Sequence, residues 1–435
     1  MSFESLNLNS AILQALAAAG YTDPTPVQSQ TIPDALAGRD LMVSAPTGTG
    51  KTAAFVLPAL QRLLQPSAKS GRGPRVLVLT PTRELALQVT GAVDKYCRFM
   101  RRLRTGAVLG GMPYPQQRRL LDQPLDILVA TPGRLIDFME QGRVDFSRVE
   151  MLVLDEADRM LDMGFIKPVE SIAAATPATR QTLLFSATLH EGIAKLARKL
   201  SRNPKLVQTA APQARHENIE QRLHHVDDGG HKRRLLDHLL RDAAMGQAIV
   251  FTATKHGADR LAEALHGEGH QAAPLHGNMN QNQRNRTLAR VRSGSVRVLV
   301  ATDVAARGID VLSITHVINY DLPRVAEDYV HRIGRTGRAG ASGIAISFAA
   351  PEEAWQLKQI ERYTGRRIEA HVVAGMEPKP RSHHDFAKRD HAGRSRPGAG
   401  RSSAAPTRWS AERSPRGEKR SAGSGWSTRA GSGRG

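Results

Sequence analysis

Met151-Leu152-Val153-Leu154-Asp155-Glu156-Ala157-Asp158 starts as four consecutive apolar residues and ends in three carboxylates. A run this short and apolar at every position suits a strand buried on both faces of a parallel sheet. Asp155 then marks the end of a buried strand. Similar Val-, Leu- and Ile-rich runs occur at Leu41–Ala45, Arg75–Thr80, Asp126–Ala130 and Gln181–Phe185, with helical pattern over Arg83–Phe99 and Gly192–Leu200. A second series follows at Ala248–Thr252, Arg297–Ala301, His316–Asn319 and Gly343–Phe348, interleaved with helical pattern at Ala258–Leu265 and Gln281–Arg292. Two α/β units in tandem account for this alternation. The expected bounds are 1–208 and 218–372, joined by a small, polar, proline-containing linker at 209–217.

About a hundred residues before the acidic cluster stands Ala45-Pro46-Thr47-Gly48-Thr49-Gly50-Lys51-Thr52, directly after the first strand. Gly48 and Gly50 let backbone N–H groups approach anionic oxygens, and the helix opening at Lys51 adds the partial positive charge of its N-terminus. The pattern is that of a phosphate-binding loop, with Ala45 where the strict form has glycine. Backbone groups from Thr47 to Gly50 would cradle the phosphates, Lys51 would reach the β and γ phosphates, and the Thr52 hydroxyl would ligate Mg²⁺. Asp155 is the matching Mg²⁺ ligand. Glu156 is the base or the group that aims a water, because phosphoryl transfer needs a positioned nucleophile. Together the two stretches predict hydrolysis of a nucleotide. The first unit offers no arginine for the γ-phosphate. The second offers His331-Arg332-Ile333-Gly334-Arg335-Thr336-Gly337-Arg338, a cationic turn spaced by glycines. If arginines of this turn complete the site, nucleotide lies in a cleft between the units and hydrolysis requires closure; which of Arg332, Arg335 and Arg338 do so the spacing leaves open.

The chain has 435 residues, 40% of them apolar, a net charge of +20 and a pI near 10.7. Such a balance favours an anionic partner, nucleic acid first. The single cysteine, Cys97, precludes an intramolecular disulfide and fits a reducing, cytoplasmic setting as a small core residue. No secretory signal pattern opens the sequence, and no apolar run approaches the ~20 residues that span a bilayer. From 373 onward the composition turns to Gly, Ser, Pro and Arg. Residues 376–435 hold 14 Lys and Arg against 5 Asp and Glu, a net of +9. Too polar to bury enough surface, 373–435 is expected to be a disordered tail, either one that grips nucleic acid or one that only keeps the chain in solution.

These motifs, in this order, resemble the DEAD-box ATP-dependent RNA helicases of helicase superfamily 2, over residues 1–370. Gly20-Tyr21-Thr22-Asp23-Pro24-Thr25-Pro26-Val27-Gln28 is similar to the family's Q motif, and Phe3 to its upstream aromatic. Pro81–Ala86, Gly110-Gly111, Thr131–Arg134, Ser186-Ala187-Thr188, Ile249–Phe251, Gln281–Arg284, Ala301–Asp303 with Ala306–Asp310, and His331–Arg338 resemble the remaining signatures. The Gly/Arg/Ser tail and Ala-rich first helix resemble the bacterial RhlE-type branch.

The resemblance implies two RecA-like domains. It also implies that Gln28 hydrogen-bonds adenine while Phe3 stacks on it, that Asp310 contacts the ribose, and that Asp158, Ser186, Thr188 and His331 couple nucleotide state to RNA grip. It implies an RNA path along Arg83, Gly111, Thr131, Arg134, Gly277, Arg284 and Thr302. Such groups suit phosphate oxygens and read no base, so binding is expected to be sequence-independent and salt-sensitive. ATP and single-stranded RNA together would close the domains, bend one strand and melt a short duplex. An ATP-gated RNA clamp shares the same motifs, and a DNA helicase is the third reading. Ribosomal precursors and RNA-decay ribonucleases are both compatible partners; no membrane is implied.

Overall fold

A computed structural model describes residues 2–46, 48–67, 69–100, 103–209, 218–306, 313–337 and 341–379. Two seven-stranded, all-parallel sheets organise it. The first sheet comprises β1 (Leu41–Ser44), β2 (Val76–Leu79), β3 (Thr105–Val108), β4 (Ile127–Ala130), β5 (Met151–Leu154), β6 (Gln181–Ser186) and β7 (Lys205–Gln208), in the order β3-β4-β2-β5-β6-β1-β7. The second comprises β8 (Ile219–His225), β9 (Gln247–Phe251), β10 (Ala272–Leu275), β11 (Val298–Ala301), β12 (Ile314–Asn319), β13 (Gly343–Ala349) and β14 (Glu369–Ala370), in the order β10-β11-β9-β12-β13-β8-β14.

The apolar runs form the sheet interiors because both of their faces are covered. Val76 and Val78 pack into one core of the first lobe, while Leu77 and Leu79 point into the other. Met151 and Val153 divide from Leu152 and Leu154 in the same way. A two-residue period with both faces buried requires an apolar residue at every position. Each of the nine expected strands is present, with ends shifted by two residues or fewer, and the helix Gln281–Arg292 has the expected bounds.

Because all strands of a sheet run parallel, their C-terminal ends share one rim. In the first lobe, β6 lies between β1 and β5, with Ser44 in register with Ser186 and Leu154 with Leu184. The phosphate loop after β1, the Ser186–Thr188 stretch after β6 and Asp155 after β5 therefore meet at that rim, where open parallel sheets bind ligands.

The ordered unit runs past the boundary expected at 372. Val373 and Met376 pack against the second-lobe core, a His231 ring nitrogen lies 3.0 Å from the Met376 carbonyl, and the Lys379 amide donates to Asp227 at 3.0 Å. Linker positions 210–217 and tail positions 380–435 lie outside the described residues. Among the described residues, no helix is long and apolar enough to cross a membrane.

Candidate active site

Gly48 and Gly50 take φ values of +80° and +89°, a region open to glycine at little cost. At Gly50 there is a second constraint, since a Cβ there would lie 2.3 Å from Gln28 Nε2. The helix Lys51–Leu63 starts directly after it. Gln28 closes the back of the loop, with Nε2 donating to the Gly50 carbonyl at 3.1 Å and Oε1 accepting from the Thr25 amide at 2.9 Å. The Thr25 hydroxyl donates to the Thr49 carbonyl at 2.8 Å. The Gly20–Gln28 stretch thus holds the loop from behind.

Lys51 is buried, yet its Nζ hydrogen-bonds to no protein atom among the described residues. A buried ammonium without a partner is costly, and a terminal phosphate would satisfy it. Asp155 is 2% exposed. Burial pushes its carboxyl up to about 7, against the opposing pull of Lys51, with Glu156 adding to the rise. Such a carboxyl becomes a good anion when a cation reaches it. The Thr52 hydroxyl, the buried Asp155 carboxyl and the Lys51 ammonium are donors that fit a magnesium-bound triphosphate.

Glu156 has φ 53° and ψ 52°, left-handed backbone that is rare for a side-chain-bearing residue. The Asp155 carboxylate steadies this turn by accepting from the Glu156 amide at 3.0 Å. Strain of this kind clusters at functional sites, and here it sends two adjacent carboxylates in different directions. Asp155 stays buried, while Glu156 lines a narrow cleft between the lobes, with Arg159 from its own side and His331, Arg332 and Arg335 from the other.

Asp158 gathers the expected coupling residues. Its carboxylate accepts from the amides of Ala187 at 3.0 Å and Thr188 at 3.1 Å and from the Thr188 hydroxyl at 3.2 Å. The Ser186 hydroxyl donates to the Thr188 carbonyl at 2.7 Å, and the Ser186 carbonyl accepts from the Ala45 amide at 3.0 Å, which ties this network to the start of the phosphate loop. Burial raises Asp158, but Lys51, together with Arg159 and the Ser186 hydroxyl, outweighs it and holds the carboxyl below its usual range. Burial, with the Arg159 guanidinium, keeps His331 well below its ordinary value and hence neutral at pH 7. Arg335 Nε donates to the His331 carbonyl at 3.2 Å.

A second cleft of about 1120 Å³ runs across both lobes, lined by Arg83, Gly111 and Thr131 on one side and Gly277 and Arg284 on the other. Arg83 donates to Gln281 at 2.6 Å and Arg284 pairs with Glu84 at 2.8 Å, so the two walls touch. Gly111 has φ +67°, a region open to glycine at little cost, and Arg83 Nη2 stands 2.0 Å from where a Cβ would lie. Arg134 and Thr302 are not among the residues that line the cleft. Arg134 instead donates to the Met112 carbonyl at 2.8 Å, and the Thr302 amide donates to the Leu275 carbonyl at 3.3 Å.

Phe3 departs from its expected place. It is 5% exposed, its ring taken up by the first-lobe core, so neither face is open to a base. The exposed aromatic of the Gly20–Gln28 stretch is Tyr21, at 42%, with Lys95 Nζ 3.1 Å from its hydroxyl. Thr47, Asp310 and Arg338 lie outside the described residues. Sequence reasoning also missed the Arg159–Asp328 ion pair between the lobes, at 2.6 Å, and the carboxylate of Glu84. Neither carries a spacing signal. Tyr21 could have been found from its position between Gly20 and Pro24.

Residues 25–196 match the family described as DEAD/DEAH box helicase, and residues 231–340 match the helicase conserved C-terminal domain. The chain is 44% identical over 378 residues to the ATP-dependent RNA helicase SrmB of Haemophilus influenzae, covering 87% of this chain and 86% of that protein. It is also 44% identical over 372 residues to the ATP-dependent RNA helicase RhlB of Pseudomonas syringae, covering 84% and 93%. Among solved structures, Saccharomyces cerevisiae Dbp5 bound to RNA and ADP-BeF3 matches with a TM-score of 0.76 at 30% identity, covering 90% of this chain and 99% of that one.

Proposed function

The chain belongs to the DEAD-box RNA helicases, and on that premise we propose that it hydrolyses ATP in the cleft between its lobes only when RNA lies across both, melting short duplexes as it closes. The observation that carries this reading is Lys51 Nζ, a buried cation that hydrogen-bonds to no protein atom among the described residues, near the buried Asp155 carboxyl. In this reading Lys51 and the amides of Gly48 to Gly50 hold the phosphates, with Thr47 beside them. Thr52 and Asp155 hold magnesium, which when bound would neutralise charge between the terminal phosphates. Glu156 orients the attacking water, and Arg335 with Arg338 reaches the developing charge from the second lobe. Gln28 recognises the adenine edge, Tyr21 takes the stacking role expected of Phe3, and Asp310 contacts the ribose.

Asp158, Ser186, Thr188 and His331 carry the state of the nucleotide site to the lobe interface, since they link the phosphate loop to the strand ends that face the second lobe. Arg83, Gly111, Thr131, Gly277 and Arg284 hold RNA through its backbone, with Arg134 and Thr302 shaping that wall from behind. A clamp built this way selects one strand in a fixed bend, which a paired strand cannot adopt. Each duplex step is worth ~1.4 kcal/mol, so a grip over several nucleotides opposes only a few steps and long duplexes are poor substrates. Within the family we place the chain in the RhlE-type branch, on the composition of its tail and first helix. A cytoplasmic location, with ribosomal precursors or RNA-decay ribonucleases as partners, fits the basic charge and the single cysteine.

Strand displacement on RNA duplexes of graded length tests the reading. ATP-dependent release of short duplexes that fades with length and is lost in Lys51→Ala is expected. Equal release by Lys51→Ala would overturn the assignment of the phosphate loop.

A further inference from the structure

Beside the interlobe cleft lies an open groove of about 1140 Å³ over the edge strand β3 of the first sheet. Its apolar wall includes Leu87, Leu109, Met112 and Pro113, and among the described residues its one charged lining residue is Arg119. The two cavities share structure. Arg83 lines the interlobe cleft and Leu87 lines the groove, one turn apart on the same face of the helix Arg83–Tyr96. In the Leu109–Met112 turn, Gly110 and Gly111 face the cleft while the residues flanking them line the groove. The turn is fixed in shape. Gln117, 4% exposed, accepts from the Leu109 amide at 2.6 Å and donates to the carbonyls of Leu109 and Met112, each at 3.2 Å. The Gly110 amide donates to the Thr131 hydroxyl at 3.1 Å.

We propose that this groove is a base-binding extension of the RNA path, taking a nucleotide that leaves the interlobe cleft over Gly110 and Gly111. The inference rests on the RNA reading given above. A strand held by its backbone turns its bases outward, and an unstacked base gains by burial against apolar side chains. Leu87 is 54% exposed and offers such a surface. Arg119 suits the adjoining phosphate, and no carboxylate among the lining residues opposes it. An apolar peptide would find the same wall. Continuity with the cleft and the cationic lining favour RNA.

The test uses the full chain with a non-hydrolysable ATP analogue and oligouridylates lengthened one nucleotide at a time at either end. Wild-type affinity should rise about five- to tenfold at the length that reaches the groove, and at one end only. Leu87→Glu and Arg119→Glu, both at exposed positions, should erase that step while binding the shortest oligomer as wild type does. A 4-thiouridine at the added position should cross-link within residues 109–123. Absence of the step in wild type, or its survival in both variants, would overturn the groove as a base site and leave it to a peptide. A wild-type protein that does not bind the shortest oligomer at all would instead overturn the RNA reading itself.

Discussion

Arg159 of the first lobe and Asp328 of the second meet at 2.6 Å, the arginine 7% and the aspartate 19% exposed at the side chain. Arg159 follows Asp158 directly, so the pair joins the acidic cluster of one lobe to the helix that carries His331 in the other. Arg159 also holds Asp162 of its own lobe at 3.1 Å, so losing Asp328 removes the contact between the lobes without stripping the arginine of a carboxylate partner.

Asp328→Ala should therefore lower RNA-stimulated turnover about tenfold or more while leaving the melting temperature of the free protein nearly unchanged, since the aspartate acts on closure. Arg159→Met should do the same, and the double variant should be little worse than either single one. Steady-state kinetics in a double-mutant cycle checks this; fully additive losses would dissolve the link.

Glu156→Gln keeps the size and the hydrogen-bonding reach of the side chain but removes the charge that orients water. Turnover should fall by about 10²–10³, with ATP and RNA both retained. The closed complex should then outlive that of the wild type in an RNA dissociation assay. Fast RNA release in the presence of ATP would remove Glu156 from that role.

His224 supplies a pH signature of folding. Burial, reinforced by His371 and Arg222, lowers it from 6.5 to about 4. The unfolded chain therefore binds a proton between these values that the folded chain refuses, and stability falls as pH drops through that window, with no contribution above it. In His224→Gln the drop in melting temperature between pH 7 and pH 5 should shrink. An unchanged drop would place the acid sensitivity elsewhere.

Truncation after Lys379 spares the Val373 and Met376 packing and removes 13 Lys and Arg against 4 Asp and Glu. RNA affinity should fall most at low salt, with a shallower salt dependence and unaltered basal ATPase. Affinity equal to that of the full chain would make the tail a solubilising segment.

The strands most legible in sequence were those buried on both faces, such as Val76–Leu79 and Met151–Leu154, because double burial demands uninterrupted apolar residues. Thr105–Val108, Lys205–Gln208, Ala272–Leu275 and Glu369–Ala370 escaped notice because they lie at sheet edges, where one side is free of strands and the composition relaxes. Ile219–His225 escaped because Glu220, Gln221 and Arg222 interrupt it, next to an edge strand of only two residues. The phosphate loop and Asp155-Glu156 were readable since their chemistry fixes residue type and spacing together. Arg159 with Asp328 was not, because a contact across 169 positions leaves no local pattern. Phe3 misled because its place in the motif does not reveal which way the ring faces.

In the mechanism we propose, hydrolysis waits for RNA because the second-lobe arginines reach the phosphates only in a closed molecule. Steady-state ATP hydrolysis by the full chain, measured with and without single-stranded RNA, tests it most directly. Slow turnover alone and at least about a tenfold rise at saturating RNA are expected. Full-speed hydrolysis without any polynucleotide, unchanged when RNA is added, would contradict it.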